Sequence, residues 1–475
     1  MLGWMGSEAF DAGEFAAELQ RIIKATADAV SGDGQVNPLV EKVFGHLGVE
    51  LTAVTMVTQE WPGWEHANVQ RGVDAYVAEC GSAPDWFGIA GAQRSGDDLM
   101  GLLTHARRHG FYELGTVDYT TVAIGPDKST EAVKLGLVNT TAPNREPVVL
   151  CVRGADPRYG NQMCQLVVLA AERVTATAAR ERIEQLMAEH DVYRGQVLSF
   201  GVSEHRGNEL VSFLPRPHLS PADVVLPDGV LDLIERHTVG IAEYGQRLRA
   251  AGQHVKRGLL LHGAPGTGKT HTVRYLMGRL PDTTVIVISG PAMRMIDPAA
   301  ALARRLQPSV VVVEDVDLIA KDRSYSPSGN PLLFSLLDAM DGIGGDADVT
   351  FLLTTNRAGE LETALADRPG RVDLAVEIPR PDARGRAALL ALYSSGLTVT
   401  ADLGPIVAAT AEQTASFIKE LLRRAALRAI TAQPERDRVI VDDAELTAAL
   451  AEMNDAASAL TRSLLGAPTD RTSHS

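Results

Sequence analysis

The stretch Gly263-Ala264-Pro265-Gly266-Thr267-Gly268-Lys269-Thr270 constrains the fold more tightly than any other part of the chain, because it carries G-x-x-x-x-G-K-[ST] at every fixed position. Its glycines allow the positive φ angles of a tight turn, so that successive N–H groups can face a polyphosphate. Lys269 then reaches the β- and γ-phosphates and Thr270 a bound Mg2+. The flanks agree: Arg257 to His262 reads as a short buried strand and Thr272 to Leu280 as a helix whose N-terminus faces the anion. A glycine-rich surface turn is the competing reading, since the chain has 43 glycines, but it explains neither the preceding strand nor the following helix.

Size and composition set the outer limits. With 475 residues the chain has room for about three domains. Apolar residues make up 45% and charged residues 22%, the balance of a globular protein rather than a disordered or fibrous one. The net charge of −15 offers no overall footprint for a nucleic-acid backbone or an anionic membrane. Cys80, Cys151 and Cys164 have no C-x-x-C spacing and cannot all pair within one chain, which favours a reducing compartment. No basic-then-apolar leader opens the sequence, and no apolar run approaches the roughly 18 residues of a membrane span. The expectation is a cytoplasmic protein with no membrane span.

Residues 1–215 carry no motif with an assignable chemistry. Periodicity predicts helices over Phe15–Val30, Val69–Ala78, Gly96–His109 and Thr175–His190. Strands are predicted over Gly48–Val57, Tyr119–Ile124, Val148–Arg153, Leu166–Ala171 and Gly195–Phe200. This is a mixed α/β N-terminal domain of unknown role. Trp61-Pro62-Gly63-Trp64 reads as a packed turn in preference to an aromatic platform. Three prolines in Leu214 to Pro221 stiffen the chain and set the expected domain boundary at 215. Beyond it, Gly229 to Ala251 is predicted helical.

About forty residues past Lys269 comes Ser309-Val310-Val311-Val312-Val313-Glu314-Asp315-Val316-Asp317. Four β-branched residues in a row make a strand buried on both faces, with acids at its carboxyl end, where open α/β sheets bind ligands. One carboxylate can hold the Mg2+ shell and a second can orient the attacking water. A further strand, Val349 to Leu353, leads to Thr354-Thr355-Asn356, whose amide either bonds a γ-phosphate or forms a turn. Next come Arg368 and Arg371, flanking Pro369-Gly370. They suit transferring phosphoryl oxygens, and equally a salt-bridged surface loop.

Taken together, residues from about 222 to 455 resemble an AAA-type ATPase of the AAA+ superfamily. Walker A matches Gly263 to Thr270, Walker B Val310 to Asp315, the sensor-1 Asn Asn356, and the arginine-finger pair Arg368 and Arg371. The segment from Thr354 to Asp373 is similar to the family's second region of homology. The resemblance implies a parallel-sheet AAA+ core over 216–380 and a helical lid with C-terminal tail over 381–475. It also implies ATP and Mg2+ as ligands, Thr270 and Glu314 on the metal, and fingers acting on a neighbour's nucleotide within a homo-oligomeric ring, expected to be a hexamer. The pre-core segment around Val224-Val225-Leu226 is expected over the adenine. The implied activity is ATP hydrolysis that remodels or unfolds a protein partner. The rivals are an ATP-gated scaffold with little turnover and a DNA-remodelling relative, which the negative charge disfavours.

Four departures from the family pattern are visible. The Walker B acids run Glu314 then Asp315, an order similar to Bcs-type members, so either Asp315 polarises water or the two acids share that role. The position where unfoldases carry an aromatic pore residue reads Ala292-Met293-Arg294-Met295-Ile296-Asp297, either a soft grip or an apolar helix start. Ala415-Ser416 stands where a Gly-Ala lid signature is usual. The ending Arg471-Thr472-Ser473-His474-Ser475 lacks the hydrophobic-Tyr-X tail of proteasomal ATPases, and the sequence contains no H-E-x-x-H protease motif.

Overall fold

The computed structural model describes residues 18–22, 37–81, 85–91, 94, 98–109, 112–156, 162–202, 209–317, 331–345, 347–357, 371–435 and 438–455. Its contacts divide the chain into two compact units that meet between Val192 and Tyr193.

The first unit is an antiparallel sheet with helices on both faces. In chain order its elements are α1 (Pro38–Leu47), β1 (Thr55–Pro62), α2 (His66–Glu79), β2 (Trp86–Ala90), α3 (Leu99–His109), β3 (Glu113–Gly115), β4 (Asp118–Gly125), β5 (Lys128–Thr141), β6 (Pro147–Arg153), β7 (Met163–Ala170) and α4 (Arg173–Glu189). The strands lie in the order β1-β7-β6-β5-β2-β3, and β4 pairs with the first half of β5. The near-continuous apolar runs of β6 and β7 follow from burial on both faces. Val148, Leu150, Val152, Leu166, Val168 and Ala170 pack with Val73 of α2 and Ala179 and Ile183 of α4. The alternate residues Val149, Cys151, Val167 and Leu169 pack with Leu39 of α1 and Leu102 of α3.

Several expectations shift here. The strand expected over Gly48–Val57 is a 3-10 turn at Leu51–Ala53 followed by β1, which runs on through Trp61. Gly63 then opens a tight turn, and a Cβ there would lie 2.9 Å from the Gln162 carbonyl oxygen, so the Trp-Pro-Gly-Trp segment is a packed turn. Most of the predicted Phe15–Val30 helix lies outside the described residues; 18–22 are helical. All three cysteines are free thiols.

The second unit begins with a hairpin of β8 (Val197–Val202) and β9 (Glu209–Leu214). It continues through α5 (Val230–Glu235), a π turn at Arg236–Gly240, α6 (Ile241–Ala250), β10 (Arg257–His262), α7 (Lys269–Arg279), β11 (Thr284–Ile288), α8 (Ile296–Arg305), β12 (Ser309–Val313), α9 (Pro331–Asp341), β13 (Val349–Thr355) and β14 (Leu374–Glu377). The sheet order is β14-β10-β13-β12-β11-β8-β9, with every neighbour parallel except the β8–β9 pair. Because Val197 to Ser199 pair with Val285 to Val287 of β11, the hairpin belongs to this sheet rather than to a domain ending at 215.

The C-terminal part is helical: α10 (Ala383–Tyr393), α11 (Leu403–Ala409), α12 (Ala415–Ala432) and α13 (Asp443–Asn454), with the two-residue strands β15 (Thr398–Val399) and β16 (Ile440–Val441) paired in parallel. It has its own core around Leu390, Phe417, Leu421 and Leu446. No helix among the described residues is long and apolar enough to cross a membrane.

Candidate functional site

The loop after β10 takes the backbone course its glycines allow. Gly263, Gly266 and Gly268 have φ values of 145, 79 and 110°, a region closed to most L side chains. Gly263 has a second reason: a Cβ there would lie 2.3 Å from the Ile378 carbonyl oxygen, where the chain leaving β14 crosses the loop. The Thr267 hydroxyl donates to the Ala264 carbonyl at 2.9 Å and braces the turn. Gly268 is the N-cap of α7, so the free N–H groups at the start of that helix face the loop.

Lys269 is buried to 6% exposure. Its Nζ donates to the carbonyl oxygens of Gly263 at 3.0 Å and Ala264 at 2.9 Å. Burial lowers its pKa, opposed by the nearby carboxylates of Asp315 and Asp317. Thr270 is exposed, and its hydroxyl bonds the Glu314 carboxylate. Glu314 follows β12 directly, its N–H held by the Ile288 carbonyl at 3.2 Å. Burial raises the Glu314 pKa; the Thr270 bond pulls it back, and the Asp315 charge pushes it further up.

Asp315 is a non-glycine residue with φ of 52°, a conformation in which Asp is enriched and which tends to mark functional sites. Its N–H donates to the Thr354 hydroxyl at 3.0 Å, and its Oδ1 accepts from Asn356 Nδ2 at 3.1 Å. Two residues on, Asp317 is 3% exposed. Its Oδ1 accepts from the Thr355 hydroxyl and from the Asn356 N–H, each at 3.1 Å. The carboxyl ends of β12 and β13 are thus laced together by alternate acids. Lys269, Thr270, Glu314, Asp315 and Asn356 all converge at the carboxyl ends of the central strands.

Residues 259–380 match the family described as ATPases associated with various cellular activities (AAA). They form an AAA ATPase-family domain. The chain is 30% identical over 250 residues to the ATP-dependent zinc metalloprotease FtsH of Synechococcus sp. (strain JA-2-3B'a(2-13)), covering 49% of this chain and 38% of that one. The proteasome-activating nucleotidase of Methanosphaerula palustris is 29% identical over 212 residues, 42% of this chain and 51% of its own. The 26S proteasome regulatory subunit 6B homolog of Saccharomyces cerevisiae is 28% identical over 284 residues, 53% and 65% respectively. The chain therefore spans between about two-fifths and two-thirds of the length of these relatives.

Not every residue singled out in the sequence joins the cluster. Arg368 lies outside the described residues. Arg371 is 3% exposed and grips Asp341, its Nε donating to Oδ1 at 2.8 Å and its Nη2 bonding Oδ2. It sits beside Gly258, near the start of β10 and so at the opposite end of that strand from the phosphate-type loop; a Cβ on Gly258 would lie 2.1 Å from the Arg371 carbonyl oxygen. Met293, Met295 and Ile296 are all buried, in a 3-10 turn and the start of α8, which is the helix-start alternative and leaves no soft grip.

Three further contacts escaped the sequence reading. Asp317 and the Thr354 hydroxyl belong to the lacing just described, and only Asp317 gave a signal, being an acid two residues past Asp315. The third is a contact from the helical part, where the Ser416 N–H at the start of α12 donates to the Gly266 carbonyl at 3.1 Å. Beside it opens a cleft of about 310 Å³ whose lining includes Val224, Val225, Leu226, Thr267, Pro379 and Ala415.

Proposed function

We propose that this protein binds Mg-ATP at the AAA domain and hydrolyses it within a homo-oligomeric ring, a hexamer, to remodel or unfold a protein partner in the cytoplasm. The observation that carries the reading is the convergence of Lys269, the Thr270–Glu314 pair and the Asp315–Asn356 pair at the carboxyl ends of β10, β12 and β13. On phosphate binding, Lys269 exchanges its loop carbonyls for phosphate oxygens, while the N–H groups from Gly266 to Thr270 cradle the rest of the chain of phosphates. The cleft beside Val224 to Leu226 is of a size and apolar character that suits a purine.

Thr270 and Glu314 present the hydroxyl and carboxylate oxygens that a hard cation such as Mg2+ prefers, and they would hold it. Bound there, Mg2+ would neutralise charge building on the β- and γ-phosphate oxygens. Asp315 then orients the attacking water, and Asn356 fixes Asp315 while its amide senses the γ-phosphate. Asp315 is one methylene shorter than Glu, and its left-handed backbone fixes where the carboxylate points. That observation supports slow turnover and keeps alive the reading of an ATP-gated scaffold.

Arg368 is the residue proposed to reach a neighbour's nucleotide. Arg371, buried on Asp341, is proposed to support Arg368 by anchoring the chain that enters β14. The names of the relatives join the AAA domain to proteolysis and to the proteasome, which supports a polypeptide partner for this chain.

Steady-state phosphate release tests the reading. Wild type should turn over, D315N should bind nucleotide without turning over, and R368A should be inactive alone. Mixing R368A with D315N subunits should recover some activity, because each supplies what the other lacks across an interface. A wild-type protein that binds ATP and assembles but releases no phosphate favours the scaffold instead.

A further inference from the structure

We infer that Asp317 is a positioning residue for hydrolysis, acting through Asn356. This rests on the hydrolytic reading above. Asp317 is a carboxylate 3% exposed, without a cationic side chain bonded to it among the described residues, at a cost in solvation that burial normally imposes. Its bonds go instead to the end of β13. Oδ1 takes the Asn356 N–H and the Thr355 hydroxyl, and that hydroxyl in turn accepts the Arg357 N–H at 3.0 Å. Three consecutive residues are therefore registered on one carboxylate oxygen.

The middle residue of the three is the one whose side chain reaches the water-side acid. Asn356 Nδ2 donates to Asp315 Oδ1, while its own backbone is fixed by Asp317. A backbone pinned at the N–H leaves the amide few ways to move, and Asp315, in its left-handed conformation, depends on that amide and on Thr354 for its own orientation. Asp317 also stands close enough for its charge to favour the protonated form of Lys269. Glu314, Asp315 and Asp317 thus divide into a metal-side acid, a water-side acid and a buried acid that sets the register of the sensor strand.

The prediction separates the acceptor from the charge. D317A loses both, and at saturating ATP its kcat should fall by about tenfold to a hundredfold, the scale of loss that an ångström of misplacement brings. KM and ADP affinity should stay within about threefold, because the loop and Lys269 remain. D317N keeps an oxygen for the Asn356 N–H and the Thr355 hydroxyl, and should recover about half or more of the lost kcat on a logarithmic scale. T355V, which removes the hydroxyl between Asp317 and Arg357, should give a smaller loss of the same kind and serves if D317A does not fold.

The decisive comparison is with N356A. If Asp317 acts through Asn356, the double variant N356A/D317A should be no slower than N356A alone in single-turnover hydrolysis. Losses in kcat that multiply across the pair overturn the inference while leaving the hydrolytic reading intact. So does a D317A protein that is less stable yet turns over at the wild-type rate, which is what a merely structural acid would give. Absence of phosphate release by the wild type overturns the hydrolytic reading first.

Discussion

Lys269 Nζ donates to the carbonyl oxygen of Gly263 at 3.0 Å, so the cation that a polyphosphate would need is held by the loop that would hold the polyphosphate. A ligand must outbid two carbonyls, those of Gly263 and Ala264, for one ammonium group. Charged hydrogen bonds contribute about 1.5 to 3 kcal/mol, so K269A should weaken ADP binding roughly tenfold to a hundredfold. Burial has lowered the Lys269 pKa below the ordinary lysine value. The anion binds the protonated form, so affinity should fall as pH rises through that lowered pKa, earlier than for an exposed lysine. Calorimetric titration in two buffers of different ionisation enthalpy should show proton uptake on the alkaline side. K269M, with no proton to gain, should show none.

Acid should weaken the site through a different group. The Glu314 pKa is raised, chiefly by burial and further by Asp315. The carboxylate must be ionised to serve a cation, so Mg2+-dependent nucleotide binding should be lost as pH falls through a value above that of an ordinary carboxyl. D315N removes the like charge, lowers the Glu314 pKa and should move this acid limb to lower pH. Fluorescent-nucleotide titrations between pH 4 and 7 with and without Mg2+ would read the shift (about one pH step is resolvable). An unmoved limb in D315N would mean that another group controls it.

What the sequence disclosed, and what it withheld, follows from the range of the interactions concerned. The loop from Gly263 to Thr270 was legible because its strand, glycines and helix are contiguous, and the acids after β12 because four valines in a row mark a buried strand. The strand expected at Gly195–Phe200 precedes the expected boundary, yet as β8 it pairs into the second sheet, and its partner there, β11, lies more than eighty residues further on. β5 escaped because its first half faces β4 with exposed Lys128, Ser129 and Glu131 while its second half is buried on both faces, so no single period spans it. The fate of Arg371, in the segment before β14, depends on Asp341 at the end of α9, thirty residues earlier.

That last pair makes its own prediction. If Arg371 anchors its segment through Asp341, then D341A and R371A should lose turnover to a similar degree. Asp341 is 52% exposed, so water screens the pair, and its removal should cost about 1 to 2 kcal/mol rather than the larger loss of a fully buried pair. Chemical denaturation and phosphate release on the two variants check both halves. D341A with normal turnover beside an inactive R371A would instead assign Arg371 a direct role across the subunit interface.

Arg216, which lies in the proline-rich segment after β9, fastens that segment to the far end of α7. Its Nη1 donates to the carbonyls of Met277 at 2.7 Å and Leu280 at 2.8 Å, and its Nη2 to those of Gly195 at 2.9 Å and Thr283 at 2.8 Å. The cation thereby caps the negative end of the helix whose other end carries the loop at Gly268. Gly278 lets the two segments touch, since a Cβ there would lie 2.5 Å from the Pro217 carbonyl oxygen. R216A leaves four carbonyls without this donor and should cost about 2 to 4 kcal/mol, discounted for the water that a half-buried site admits. R216K keeps the charge but not the planar fork and should recover less than half of that. Because the chain has two units, urea unfolding should be followed on the transition that ADP moves to higher urea, which belongs to the AAA unit. If R216A shifts only the other transition, or R216K is as stable as wild type, the four-carbonyl clamp is not what holds α7 in place.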